Sequence, residues 1–195
     1  HNQDIMYMAS NKLHRSMNKG ETFEEISPDL SNGRKDGDVS YGTISCISES
    51  KFKFGLIYAG TDDGNIQLTK NGGETWNNIS QKLPQHLWIK KIVASEHKKE
   101  RVYAILNGHT WDHFNSYIYI SEDYGTTWTP LGKNLPAECL NALKEDATTE
   151  DILYVGSDAG LYISTDRGTT FQAFSDLPPV AIHDLAIQQE QRDLL

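Results

Sequence analysis

Carboxylates stand in three polar stretches of the sequence where they could act as an acid or a base. Asp62 and Asp63 are adjacent in "TDDG", Asp112 lies within "NGHTWDHFNS", and Asp184 follows His183. Glycoside hydrolysis uses two carboxyl groups, about 5 to 9.5 Å apart across the scissile bond. Asp62, Asp112 and Asp184 are therefore candidate catalytic residues. Capping of a turn is the alternative for "TDDG", since "SDAG" at 157–160 repeats its pattern.

The stretch around Asp112 also gathers groups that stack on sugars or titrate near neutral pH. His109, Trp111 and His113 are its candidate ligand-binding residues, and a folded aromatic plug is the alternative. A metal ion there would need a further ligand from elsewhere in the chain, so we expect neither a metal nor another cofactor. His183 is a fourth candidate. Because neighbouring strand residues point to opposite faces, His183 and Asp184 cannot pair with each other.

Composition excludes several classes of function. The 195 residues carry 27 acidic and 18 basic side chains, a formal charge of -9, and only five of the basic ones are arginines. Nucleic-acid binding by phosphate neutralisation is therefore not expected. No apolar run approaches the ~18 residues that a membrane-spanning helix needs, so we expect no membrane insertion. The two cysteines, Cys46 and Cys139, are predicted to be unpaired core thiols.

One eight-residue pattern recurs four times and tells more than any single candidate residue. It reads Ser/Thr-x-Asp/Asn-x-Gly-x-Thr-Trp/Phe, and we call its copies the repeat turns. Their starts lie 53, 52 and 43 residues apart, a spacing typical of propeller blades. The copies are "SMNKGETF" (16–23), "TKNGGETW" (69–76), "SEDYGTTW" (121–128) and "STDRGTTF" (164–171).

The chemistry of the pattern predicts a structural turn and not a site of catalysis. The glycine adopts positive φ without a Cβ clash, and the Asp or Asn accepts hydrogen bonds from the turn. The aromatic residue is large enough to anchor the turn against a blade. The predicted structural residues are Asn18, Gly20, Phe23, Asn71, Gly73, Trp76, Asp123, Gly125, Trp128, Asp166, Gly168 and Phe171.

Around each turn, β-rich runs alternate with Gly/Asp turns, which predicts a four-stranded antiparallel meander for each repeat. We name its strands A to D in chain order, with the repeat turn between C and D. The whole chain, 1–195, is predicted to be one all-β segment of about four blades. The predicted ranges are 4–27 for strands B to D of the first blade, 41–80, 88–132 and 139–175 for the next three, and 180–188 for a further strand A.

The repeat turns resemble Asp-boxes, also called BNR repeats, and nearly the whole chain resembles the Asp-box β-propellers. "LYVGSDAGLYIST" and "PVAIHDLAI" are similar to stretches of bacterial glycosyl-hydrolase-like and sortilin-like (Vps10-type) propeller proteins. The resemblance implies an extracytoplasmic protein, secreted or periplasmic. The arginine triad of sialidases has no counterpart among the five arginines, so sialidase activity is disfavoured.

Two arrangements and two functions remain open. The blades are expected to belong to a larger propeller of seven to ten blades, or else strand 180–188 completes the first blade and closes a ring of four. The leading functional hypothesis is a non-catalytic scaffold that binds a polypeptide or a glycan. The alternative is part of a two-carboxylate glycoside hydrolase. The remaining blades of a longer parent protein, or a second copy, are the expected partners.

Overall fold

The computed structural model describes residues 3–33 and 42–187, which form four antiparallel sheets. Blade 1 contains β1 (Met6–Ala9), β2 (Leu13–Ser16) and β3 (Glu24–Glu25). Blade 2 contains β4 (Ile44–Glu49), β5 (Ile57–Thr61), β6 (Ile66–Thr69) and β7 (Asn77–Asn78). Blade 3 contains β8 (Trp88–Ala94), β9 (Val102–Gly108), β10 (His113–Ser121) and β11 (Thr129–Pro130), with a 3-10 turn at His109–Trp111. Blade 4 contains β12 (Leu140–Glu145), β13 (Leu153–Ser157), β14 (Leu161–Ser164) and β15 (Gln172–Ala173). The predicted all-β class is confirmed.

The segment after blade 4 differs from its prediction. Residues 180–186 form no regular strand, and Ile187 makes only an isolated bridge. The Ile182 N–H still donates to Ser157 O (2.8 Å), as Ile44 does to Ser10 in strand A of blade 2. The segment therefore lies where the innermost strand of a further blade would lie. Residues 41 and 188, at the ends of two predicted ranges, fall outside the described residues, and ring closure stays a prediction.

Three hydrophobic clusters hold neighbouring blades together, and we call the three interfaces the first, second and third seams. The second seam, between blades 2 and 3, buries twelve residues that include Tyr58 and Leu106. The third seam, between blades 3 and 4, buries ten. Among the described residues, the cluster of the first seam buries three: Leu13, Ile26 and Ile57. Packing between blades 1 and 2 is therefore the thinnest.

The connections between strands separate into two faces of the molecule. Each repeat turn forms a backbone hydrogen bond with the A–B loop of its own blade. In blade 3, for example, Tyr124 N donates to Glu100 O (2.8 Å). At the other end of the strands, a Cβ added to Gly64 would lie 3.0 Å from the backbone nitrogen of His86. The B–C turns and D–A loops thus share one face, which we call the mouth face, and the repeat turns lie on the opposite one.

The repeat turns share one hydrogen-bond pattern. In the third copy, Asp123 Oδ1 accepts from Ser121 Oγ (2.8 Å) and Thr127 N (2.8 Å), while Gly125 N donates to Ser121 Oγ (2.7 Å). The aromatic residue reaches the preceding blade, because Trp128 Nε1 donates to Ile79 O (2.9 Å) and Trp76 Nε1 donates to Ile26 O (2.9 Å). These contacts fix each blade to the one before it.

The carboxylates of two repeat turns should make stability sensitive to acid. Hydrogen bonds from Thr170 lower the pKa of Asp166. At Asp123 partial burial raises the pKa, but hydrogen bonds from Thr127 and Ser121 outweigh this effect, so the pKa is lowered there too. Because both folded pKa values are depressed, the stabilisation is complete above the unfolded pKa of about 3.9 and is lost as pH falls further.

The double change Asp123→Asn/Asp166→Asn should therefore flatten the loss of stability below about pH 4. Asparagine keeps the turn geometry, since Asn71 Oδ1 accepts from Thr75 N (3.1 Å) and Asn71 Nδ2 donates to the Thr75 hydroxyl (3.0 Å). Urea unfolding between pH 3 and pH 7 measures the difference. Equal pH dependence in the parent and the variant would contradict the assignment.

Candidate functional site

A groove of about 330 Å³ opens on the mouth face of blade 3. One wall is the D–A loop of residues 85–87, and the other is the 107–116 insertion, which supplies Trp111 and His113. Trp111 keeps 45% of its surface exposed. A broad apolar ring with a polar N–H suits stacking on a flat ligand that also forms hydrogen bonds, such as a sugar.

Two residues in left-handed backbone conformations flank this groove. Five non-glycine residues among those described have positive φ, and three of them occupy repeat turns. The other two are His86 (φ 67°) and Asp112 (φ 56°), one in each wall of the groove. A left-handed conformation costs energy for a residue with a Cβ, and such residues cluster at functional sites. Outside the repeat turns, the two such residues among those described both flank the groove, which makes it a candidate ligand site.

The insertion brings only part of the predicted set into the groove. Trp111 and His113 line it. His109 instead packs edge-on against Phe114, with ring centroids 5.7 Å apart, which fits the aromatic-plug alternative for that residue. Asp112 is exposed between Trp111 and His113.

The "TDDG" turn is adjacent to the groove through Gly64, but both of its carboxylates are engaged in local bonds. Asp62 Oδ1 accepts from Gly42 N (2.8 Å) and Thr43 N (2.9 Å), and its Oδ2 accepts from Thr43 Oγ1 (2.8 Å). Asp63 is buried and accepts from Thr61 Oγ1 (2.6 Å). Asp62 thus holds the start of strand A of blade 2, and Asp63 holds the loop before it by accepting from Asn32 N (2.7 Å).

Asp184 lies on the inner side of the blades and not in the groove. Its Oδ1 accepts from Lys91 Nζ (2.8 Å), and this bond holds the pKa of Asp184 below its ordinary value. A general acid needs a raised pKa, so Asp184 is unsuited to that role at neutral pH. His183, on the same segment, is exposed.

Sequence reasoning missed the opposite wall of the groove, formed by Gln85, His86 and Leu87. The available signal was "QHLW", a polar and aromatic run between Leu83-Pro84 and the next strand A. Residues 85–87 fall between the predicted blade ranges 41–80 and 88–132, and no site was assigned to them.

A buried ionic cluster in the third seam was missed as well. Arg101 and Glu145 have side chains 3% and 0% exposed, and Arg101 Nη1 lies 3.4 Å from Glu145 Oε1. Glu145 also accepts from Tyr103 Oη (2.8 Å) and Ser95 Oγ (3.1 Å). Burial and the adjacent Glu145 raise the pKa of Tyr103, which keeps the phenol a donor. The cluster is closed to substrates and joins blades 3 and 4.

Within residues 3–33 and 42–187, no group of three or more His, Cys, Asp or Glu could hold a metal ion. No helix in these ranges is long and apolar enough to cross a membrane.

Comparisons with known proteins bear on the fold and on part of the sequence. No family model matches the chain. Over 80 residues, 41% of this chain, it is 34% identical to a xyloglucanase of Hypocrea jecorina (strain QM6a), and the match spans 9% of that enzyme. The solved GH74 xyloglucanase from Xanthomonas campestris aligns with a TM-score of 0.66 and 14% identity, over 91% of this chain and 29% of that one. A chain of a nidogen–laminin complex aligns with a TM-score of 0.69 and 14% identity, over 96% and 65% of the two chains.

The chain has a β-propeller fold. Its four consecutive blades match parts of longer propeller chains, and it spans less than two thirds of each of the relatives named above. The sequence similarity to a xyloglucanase is confined to those 80 residues. Membership of the Asp-box family stays a prediction.

Proposed function

We propose that this segment is the binding part of an extracytoplasmic Asp-box propeller, and that the groove at Trp111 takes a glycan. The observation that carries the proposal is a groove with an exposed indole ring, walled on both sides by residues in strained backbone conformations. The similarity to a xyloglucanase makes a plant-type β-glucan the first ligand to test. The extracytoplasmic location rests on the family resemblance.

A binding role accounts for the carboxylates better than catalysis does. Asp62 accepts from the backbone N–H groups of Gly42 and Thr43 with Oδ1 and from the Thr43 hydroxyl with Oδ2. Asp184 is an ion-pair partner with a lowered pKa. A two-carboxylate mechanism would need one accessible acid with a raised pKa and a second carboxyl group facing it. Asp112 is the remaining exposed candidate in the groove region.

Replacing Trp111 with alanine should weaken binding of xyloglucan oligosaccharides about tenfold, because loss of an aromatic stacking partner is worth up to ~1.5 kcal/mol. Isothermal titration calorimetry on the full chain measures the change. Phe52→Ala is the matched control, since Phe52 is also 45% exposed but lies in an A–B loop on the opposite face. Equal affinity of the parent and Trp111→Ala would overturn the proposal.

Participation in a glycoside hydrolase is the second candidate, favoured by the 34% identity to a xyloglucanase. In that case Asp112 or Asp62 would supply one carboxyl group, and blades outside this chain the other. Release of reducing ends from xyloglucan by the parent protein, abolished by Asp112→Asn or Asp62→Asn, would support it. Turnover unchanged in both variants would exclude both residues as the acid or base.

A further inference from the structure

A cleft of about 790 Å³ opens at the first seam, on the face that carries the repeat turns. Blade 1 lines it with Arg15 and Glu24, and blade 2 with Phe54, Gly72 and Glu74. It lies on the face opposite the groove at Trp111, so it is a separate feature. It also coincides with the seam that buries the fewest hydrophobic residues.

The cleft exists because two positions of the repeat differ from their counterparts in the other seams. The residue before each repeat turn is aliphatic in the second and third seams, Leu68 and Ile120, but it is Arg15 in the first. The residue before the conserved turn glycine is large in the following turns, Tyr124 and Arg167. In the turn facing Arg15 it is Gly72.

The second seam shows what normally fills this space. Tyr124 packs against the buried cluster that contains Leu68. The centre of its ring lies 3.7 Å from Lys70 Nζ. Its hydroxyl donates to Glu100 Oε1 (3.1 Å). The first seam lacks this ring, so the cleft has room for an aromatic side chain supplied by another molecule.

The floor of the cleft carries a guanidinium and an aromatic ring that could contact an inserted ring. The Arg15 side chain is 13% exposed, and its Nε is buried with no hydrogen-bond partner among the described residues. Nη1 donates to Gly72 O (3.2 Å), and Cζ lies 5.5 Å from the centre of the Phe54 ring, which is 42% exposed. A guanidinium in this position attracts the face of a second aromatic ring.

The rim of the cleft is negatively charged. Glu24 and Glu25 have side chains 65% and 49% exposed, and Glu74 is exposed beside them. Lys12 pairs with Glu25 (2.9 Å), and Glu24 lies 3.5 Å from Arg15. Three carboxylates therefore face two cations, which favours basic over acidic groups next to the inserted ring.

We propose that this cleft binds a partner polypeptide through an aromatic side chain flanked by lysine or arginine. The ring enters the space that Tyr124 fills in the second seam and stacks on Arg15 beside Phe54. The flanking cations meet Glu24, Glu25 and Glu74. The site is independent of glycan binding at Trp111.

The test uses the peptide acetyl-Lys-Trp-Lys-amide with a fluorinated indole, followed by 19F NMR as the full chain is titrated. Gly72→Tyr should reduce its affinity roughly tenfold, because the chain then fills its own cleft and Arg15 gains a permanent aromatic partner. A tyrosine is compatible with this backbone, since Tyr124 occupies φ 59° where Gly72 has 73°. An added Cβ would lie 3.4 Å from Arg15 Nη1.

A second variant keeps the proposal testable if Gly72→Tyr unfolds. The triple variant Glu24→Gln/Glu25→Gln/Glu74→Gln changes only exposed side chains and should lower the affinity for the peptide several-fold. Glu21→Gln, on the same face, is its control. Trp111→Ala should leave the peptide affinity unchanged. Equal affinity for Lys-Trp-Lys and Lys-Leu-Lys, stronger binding of Glu-Trp-Glu, or no effect of the glutamine changes would each overturn the proposal.

Discussion

Arg101→Met is expected to lower the free energy of unfolding by about 3 to 5 kcal/mol, as for other buried ion pairs that lose one partner. Glu145 has no exposed side-chain surface, so its charge would remain between blades 3 and 4 without the neighbouring guanidinium. Arg101 also binds Glu150 Oε2 (3.0 Å) across the same seam and Glu122 Oε1 (2.8 Å) within blade 3. Urea unfolding at pH 7 measures the loss.

Two further variants separate charge burial from loss of side-chain volume. Arg167 also pairs with Glu150, but its side chain is 36% exposed. Arg167→Met should therefore lower the free energy of unfolding by no more than about 1 kcal/mol, as for other surface pairs. Arg101→Met/Glu145→Leu removes both buried charges and should recover much of the stability. Equal losses for Arg101→Met and Arg167→Met would show that the buried pair does not hold the seam.

Gly73→Ala is expected to destabilise the chain by about 3 kcal/mol, from left-handed strain together with steric overlap. Gly73 has φ 106°, and an added Cβ would lie 2.3 Å from the Ile26 carbonyl oxygen of blade 1. That oxygen also accepts the bond from Trp76 Nε1, so the backbone cannot move away without losing the bond.

Gly33→Ala is the control for Gly73→Ala. Gly33 also has positive φ (64°), but an added Cβ would meet no atom of the described residues within 4 Å. It should cost only the conformational strain, about 1 to 2 kcal/mol. Thermal unfolding of both variants gives the comparison. If Gly33→Ala loses as much stability as Gly73→Ala, close approach of the repeat turn to blade 1 is not the reason for glycine there.

The fold could be predicted from the sequence because each blade is specified locally. Strand periodicity and the turn glycines act over a few residues, and four copies in register leave few alternatives. Residues 180–186 differ from the predicted strand, because a β-rich run forms a regular strand only when a neighbouring strand pairs with it. The structure assigns that run an isolated bridge at Ile187.

The candidate site could be predicted only in part. The length and aromatic content of the insertion predict Trp111 and His113 as ligand-binding residues, and both line the groove. The wall formed by His86 and Leu87 was not, because it comes from a different segment that the blade geometry brings alongside. Asp62 was named for its type, yet its bonds to Gly42 and Thr43 depend on the fold.

The sequence by itself determined the repeated blade and the chemistry of its turns, because glycine conformation, Asx capping and strand alternation are local properties. Only the tertiary structure decided which residues meet across the seams. Arg101 and Glu145 lie 44 residues apart, and Arg15 and Gly72 lie 57 apart, yet each pair faces one another between neighbouring blades. Packing of one blade on the next creates those contacts, and no spacing within a single repeat contains them.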